Sequence, residues 1–249
     1  MERIIKITDY KNDARIYYLL SGSLSSEANN VIMKILEVKK ETFERKQPDL
    51  SEVSARLDSH GPGELIDILN WENYNYRPDV WFNIAYTDRE ILLKYYVNEA
   101  FIKAEKTESN QMVCEDSCVE FFVSPAEDRI YYNFEFNPIG TCLLGAGTCR
   151  KDSSLAPVSV IDSIRRMGSS GTKPFKEKKG KHSWSITVAI PKEAFFRHKL
   201  KDFYGTIFRA NFYKCGDKLA QPHYLTWNPV GTKNPDYHQP DFFGVLKFV

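Results

Sequence analysis

The chain has 249 residues, enough for one large domain or two small ones with a substantial apolar core. Its 34 Lys and Arg nearly cancel its 33 Asp and Glu, which excludes the global positive charge of a protein that binds nucleic acid or an anionic membrane. No stretch approaches the ~20 apolar residues of a membrane span. The N-terminus carries Asp9, Lys11, Asp13 and Arg15 where a signal peptide is apolar, so the expected location is cytoplasmic, or secreted or periplasmic if a leader precedes this chain.

In chain order, residues 1–32 show no clear pattern and read as an N-terminal extension, and the domain proper spans 33–249. "MKILEVKK", from Met33, reads as its opening strand. Asp49 to Leu57, "DLSEVSARL", has a D-x-x-E capping box with Val53 and Leu57 one turn apart, and "GPG" follows, which predicts a short helix. Aromatic residues then recur in short alternating runs, predicting strands at Val80 to Thr87, Glu90 to Asn98, Cys118 to Val123, Ile130 to Asn137, Ser183 to Ile190, Thr206 to Tyr213 and Gly244 to Val249. "TDRE", "SPAEDR" and "PIGT" supply turns between them, and the basic run Lys173 to Lys181 reads as a solvated hairpin tip. This succession predicts an all-β fold, an antiparallel sandwich of jelly-roll or immunoglobulin type with a short N-terminal helix. The five cysteines, Cys114, Cys118, Cys142, Cys149 and Cys215, are odd in number and form no C-x-x-C pair, which argues against a disulfide framework and a zinc site.

Residues two apart on a strand share a face. In "YYNFEFNP", Tyr132, Phe134 and Phe136 face one way and Asn133, Glu135 and Asn137 the other. In "CVEFFV", Glu120 lies opposite Val119, Phe121 and Val123. If "SPAEDR" closes these strands with Val123 across from Ile130, Glu120 falls opposite Asn133 and Cys118 opposite Glu135. "IFRANFY" turns Phe208, Ala210 and Phe212 inward and Arg209, Asn211 and Tyr213 outward, and "SWSITVAI" turns Trp184 into the core. A wet face is ordinary in a sandwich. Here it carries Asn, Glu, Arg and Tyr rather than Thr and Lys, and planar donors and acceptors beside aromatic rings suit hydroxyl-rich ligands.

Glu120 and Glu135 also form the kind of carboxylate pair a glycoside hydrolase uses. Catalysis with this pair is the alternative to binding. A flat hairpin lacks the apolar pocket that raises the pKa of an acid catalyst, so the sequence favours binding.

Four segments in order, "DSCVEFFVSP" (Asp116 to Pro125), "YYNFEFNPIG", "RANFYKCGD" (Arg209 to Asp217) and "LTWNPVG…PDYHQPDFFGVLKF", resemble the family 9 carbohydrate-binding modules in their Bacteroidetes branch. The resemblance covers Met33 to Val249. It implies a non-catalytic β-sandwich that holds mono- or oligosaccharides, such as xylan or glucan fragments, between aromatic rings. It further implies association with a glycoside hydrolase in polysaccharide catabolism, and structural calcium, for which the loop acids Asp152, Asp162 and Asp217 are available. Carried over by position, the family's hydrogen-bonding residues match Glu120, Asn133, Glu135 and Asn137, with Glu135 standing where the family has Arg. Tyr237 fills one stacking position, with His238 beside it and Asn234 near a family amide. Where the second ring belongs, this chain has Val113 and Cys114, and Trp71 and Trp81 are the substitutes. Trp227 matches a structural position. The expected carbohydrate-binding set is Glu120, Asn133, Glu135, Asn137, Arg209, Asn211, Asn234, Tyr237, Trp71 and Trp81.

Overall fold

The computed structural model describes residues 18–19 and 32–249. Tyr18–Leu19 pair with Ile32–Met33 in a two-residue ladder, and the remainder of the predicted extension, with its charged positions near the N-terminus, lies outside the described residues.

The main elements are β1 (Ile35–Lys40), α1 (Leu50–Asp58), β2 (Asp79–Tyr86), β3 (Glu90–Ala104), β4 (Cys118–Ser124), β5 (Tyr131–Phe136), β6 (Cys142–Gly147), α2 (Val158–Ser163), β7 (Arg165–Gly168), β8 (Phe175–Pro191), β9 (Ile207–Cys215), β10 (Tyr224–Thr226) and β11 (Gly244–Phe248). Across the sheet the order is β6-β5-β4-β9-β11-β1-β2-β3-β8-β7, with β10 paired to β9. The pairings are antiparallel except at β1, which runs parallel to both β11 and β2. The sheet curls into a sandwich, and β1 is the hinge by which one layer continues into the other. Among the described residues, no helix is long and apolar enough to cross a membrane.

Alternation builds the core as the sequence predicts. Phe82 of β2 stacks on Phe212 of β9 with ring centroids 3.7 Å apart, and Phe121 and Phe134 extend the stack across β4 and β5. All four rings are fully buried, each stabilising the fold by roughly 1.5–3 kcal/mol. Trp184 is also buried and donates its indole N–H to Glu99, 2.6 Å away. Glu99 in turn pairs with Lys214 at 3.0 Å, both fully buried, and Lys214 also donates to His223, 2.8 Å away. Trp227 sits in the core with its indole N–H on Glu64.

Four local readings are corrected. α1 packs Val53 and Leu57 against Ala85, Leu92 and Ala189, but Asp49 makes no side-chain cap and instead accepts a hydrogen bond from Arg45. The basic run is no hairpin tip: β8 begins at Phe175 and pairs with an extended β3, Lys178 opposite Ile102 and Lys179 opposite Phe101, with two register shifts absorbing the irregular residues. β6, "CLLGAG", was not predicted, because Gly is a poor strand former.

The fourth concerns the β4–β5 hairpin. Val123 pairs with Tyr132, Phe122 with Asn133 and Glu120 with Glu135, two residues away from the predicted register. Ser124 donates its hydroxyl to the Ile130 carbonyl across the loop, and Arg129 adopts a positive φ of 67°, which lengthens the connection. A shift of two keeps every side chain on its predicted face. It exchanges Asn133 for Glu135 as the partner of Glu120.

Candidate functional site

The polar face of β4, β5 and β9 is roofed by the loop running from Trp227 to Phe243, and a cavity of about 650 Å³ lies between them. Glu120, Phe122, Asn133, Glu135 and Cys215 form its floor, Tyr224, Tyr237 and His238 one wall, and Met112, Arg150, Leu155 and Asp236 the rim.

Each floor residue is held by its strand. Asn133 donates its amide N–H to Glu135 Oε1 at 2.9 Å, and the Cys215 thiol lies 3.0 Å from Glu120 Oε1. Glu120 Oε2 and Asn133 Oδ1 are buried and have no protein hydrogen-bond partner. Gly145 on β6 pairs with Asn133, and a Cβ there would stand 2.6 Å from Asn133 Oδ1, so the glycine makes room for the amide. Burial pushes the Glu120 carboxyl well above its ordinary range, and Glu135 adds to the shift. Burial likewise raises Glu135 to about 7, against the lowering effect of the Asn133 hydrogen bond. The expectation of a flat site without shifted carboxyls is therefore wrong: the pair is enclosed, and the two groups face each other across one ladder rung.

Above the floor, Tyr237 is 6% exposed and stacks on Tyr213 with centroids 3.9 Å and planes 7° apart. Its hydroxyl lies within 3.2 Å of the Lys214 and Leu225 carbonyl oxygens. Tyr237 thus shows the cavity only part of its ring and is not a free stacking platform. His238 is paired through Nδ1 with the Tyr131 hydroxyl at 2.8 Å, and burial lowers its pKa to about 4, so it stays neutral near neutral pH. Arg150 bridges the rim to Asp236 at 3.0 Å.

Of the ten residues expected from sequence, Glu120, Asn133, Glu135 and Tyr237 meet at this cavity and six do not. Asn137 is buried at the end of β5, bonded to the Lys106 carbonyl, Asp116 and the Thr141 N–H. Asn211 donates to the Asn228 carbonyl and accepts from the Asn228 N–H, which anchors the roof loop. Arg209 donates to the Phe243 carbonyl at 2.6 Å, at the far end of that loop. Asn234 is exposed outside the cavity lining. Trp71 is buried behind Tyr237 and Tyr224, its indole N–H on the Thr232 carbonyl. Trp81 belongs to the other layer, stacked on Tyr96 at 5.1 Å. Alternation identifies a face but not where along a strand the cavity opens, which is why Asn137, Arg209 and Asn211 were included; Asn234, Trp71 and Trp81 came from the family resemblance. Arg150, Asp217, Tyr224 and Asp236 were missed as ligand-facing groups: three of them sit on loops, where alternation says nothing.

Calcium needs a cage of oxygen ligands. Asp152 spends both oxygens on the N–H groups of Thr148 and Cys149 and on the Thr148 hydroxyl. Asp162 is exposed on α2, and Asp217 lines the cavity. Among the described residues, donor atoms close enough to share an ion occur at Cys118, Glu120 and Cys215, within 4.8 Å of one another. Two thiols and one carboxylate are no oxygen cage, so these residues do not fit calcium.

A β-sandwich whose polar sheet face is enclosed by an ordered loop, with unpartnered oxygens at its base and rings on its wall, has the build of a small-ligand-binding module. The chain belongs to carbohydrate-binding family 9, whose family model matches residues 56–248. It is 42% identical to a candidate carbohydrate-binding protein from Bacteroides uniformis ATCC 8492, over 86% of this chain and 99% of that one, with a TM-score of 0.83. Two structures of a family 9 carbohydrate-binding module from Caldicellulosiruptor kristjanssonii share the fold. The glucose complex is 11% identical with a TM-score of 0.52 over 87% of this chain and 96% of that one, and the cellotriose complex 12% identical with 0.53 over 86% and 93%. Comparison with curated proteins finds no match.

Proposed function

We propose that the protein binds saccharides non-catalytically in this cavity, with Glu120, Asn133 and Glu135 as hydrogen-bonding groups and the exposed edges of Tyr237 and Tyr224 as apolar wall. The observation that carries the reading is the enclosed floor: Glu120 Oε2 and Asn133 Oδ1 are buried without a protein partner, and a sugar's hydroxyl groups, which both donate and accept, satisfy the amide oxygen and the carboxyl in either protonation state. Family membership supports the ligand class, and the complexes of the Caldicellulosiruptor modules make glucose and cello-oligosaccharides the first ligands to try. Fragments of glucan or xylan, with a glycoside hydrolase as physiological partner, are the finer form of the proposal.

A hydrolase reading gains one observation, the facing of Glu120 and Glu135 with raised pKa values. One experiment separates the two. Isothermal titration with glucose, xylose and cello- and xylo-oligosaccharides is followed by chromatography of the cell contents. Saturable heat with intact ligand is the expected result; released sugar would establish turnover, and absence of heat with every saccharide would overturn the proposal.

A further inference from the structure

We propose that the cavity prefers a saccharide carrying a protonated amine, an unacetylated hexosamine unit, over a neutral sugar of the same size. The inference rests on the saccharide-binding reading and adds the charge of the ligand.

Four acids line the cavity against one guanidinium. Glu120 comes from β4, Glu135 from β5, Asp217 from the loop after β9 and Asp236 from the roof loop. Arg150 is already paired to Asp236 at 3.0 Å, and the neighbouring His238 is neutral, hydrogen-bonded to Tyr131. Among the described residues Glu120, Glu135 and Asp217 form no ion pair; Arg150 favours the charged form of each only at longer range, so three acids share one guanidinium that is already paired. Glu120 meets the Cys215 thiol and Glu135 the Asn133 amide, while burial raises the Asp217 carboxyl against the lowering influence of Cys215, Arg150, Cys114 and Tyr224. A carboxylate in such a site calls for opposite charge.

The form of the missing cation follows from the donor inventory. An ammonium has three N–H donors and no acceptor, and the floor presents acceptors: Glu120 Oε2, Asn133 Oδ1 and the carboxyl of Glu135. A sugar hydroxyl fills one of these positions but leaves the second carboxyl protonated, because like charges across one ladder rung repel. An ammonium lets both ionise. The remaining hydroxyls and C–H faces of the sugar then meet Tyr224 and Tyr237, which a bare metal ion or simple amine does not use.

The test is titration of the full-length protein at about pH 6.5, where an ordinary amine is protonated, with glucosamine, glucose and N-acetylglucosamine. Glucosamine is expected to bind at least about tenfold tighter than glucose, with N-acetylglucosamine no better than glucose. Proton release is read by repeating the titration in buffers of different ionisation enthalpy; it is expected with glucosamine and not with glucose. In Glu135→Gln the ratio of glucosamine to glucose affinity is expected to fall toward one. Glucose binding equal to or tighter than glucosamine binding would overturn this inference and leave the binding function standing. No binding by any saccharide would overturn both. Tight binding of ethylamine without gain from the sugar ring would overturn the saccharide part.

Discussion

At the scale of single residues, the floor carries two carboxyls facing each other in a space that accommodates one charge. Glu135 has a folded-state pKa of about 7, above the ~4.3 of an unfolded glutamate. Between those values the native protein holds a proton that the unfolded chain has released, so stability falls as pH rises from about 4 to about 7, and the penalty is complete above that. Glu135→Gln keeps the shape and still accepts the Asn133 hydrogen bond. It is expected to stabilise the protein by on the order of 1–3 kcal/mol at pH 8 and to have little effect at pH 4. Chemical denaturation at the two pH values checks this, and an equal effect at both would remove the strain from Glu135. Tyr237 behaves differently. Because its ring is sandwiched against Tyr213 and buried, Tyr237→Ala is expected to cost roughly 3–5 kcal/mol of stability, visible as a fall in melting temperature. Tyr237→Phe removes only the hydroxyl, so its cost is about 0.5–1.5 kcal/mol. The stacking role assigned to Tyr237 from sequence assumed a free face, and alternation, which only turns Tyr213 outward, does not show that Tyr213 covers it.

At the scale of elements, strand parity was legible and strand pairing was not. "YYNFEFNP" and "CVEFFV" each sort their side chains by period two whatever their partners, and Glu120 joins Asn133 and Glu135 on one face in any register of the predicted parity, which the actual pairing keeps. Pairing depends on how the loop closes, and here a Ser124 side chain and a positive φ at Arg129 set it, neither of which has a sequence signature. β6 was illegible for a related reason: its glycines weaken strand propensity in order to leave space. That space is testable. Gly145→Ala would put a methyl 2.6 Å from Asn133 Oδ1, so the amide must turn from the floor. Saccharide affinity is expected to fall by about tenfold or more, about 1.4 kcal/mol, in isothermal titration. Unchanged affinity would show that Asn133 does not contact the ligand. The roof loop answers to Asn211, whose side chain satisfies both backbone groups of Asn228. Asn211→Ala leaves those groups buried and unpaired at a cost of roughly 1–3 kcal/mol. The same variant is expected to speed proteolytic cleavage between Trp227 and Phe243, whereas cleavage at the wild-type rate would mean that the loop is held by its other contacts.

At the scale of the whole molecule, the two layers are one sheet only because β1 joins them. It pairs in parallel with β11 through Val245 to Phe248 and with β2 through Ala85 and Tyr86, while Val38 enters the core with no exposure. The sequence identified the strand, from "MKILEVKK", but suggested nothing of its position, because the parallel neighbours lie some 45 and 210 residues further along the chain. Truncation distinguishes a peripheral N-terminus from this joining strand. A chain starting at Met33 loses only the two-residue Tyr18–Leu19 ladder among the described contacts, and it is expected to melt within a few degrees of the full chain. A chain starting at Glu41 exposes the edges of β11 and β2 and removes Val38 from between the layers. Such an opened sandwich has unpaired edge groups and an uncovered core, and it is expected to lose its cooperative thermal transition and to aggregate. Circular dichroism melts of the two truncated chains decide the matter. If the first fails to fold, residues 1–32 are part of the domain; if the second melts like the full chain, the layers hold together through the Phe82 and Phe212 stack and β1 is dispensable.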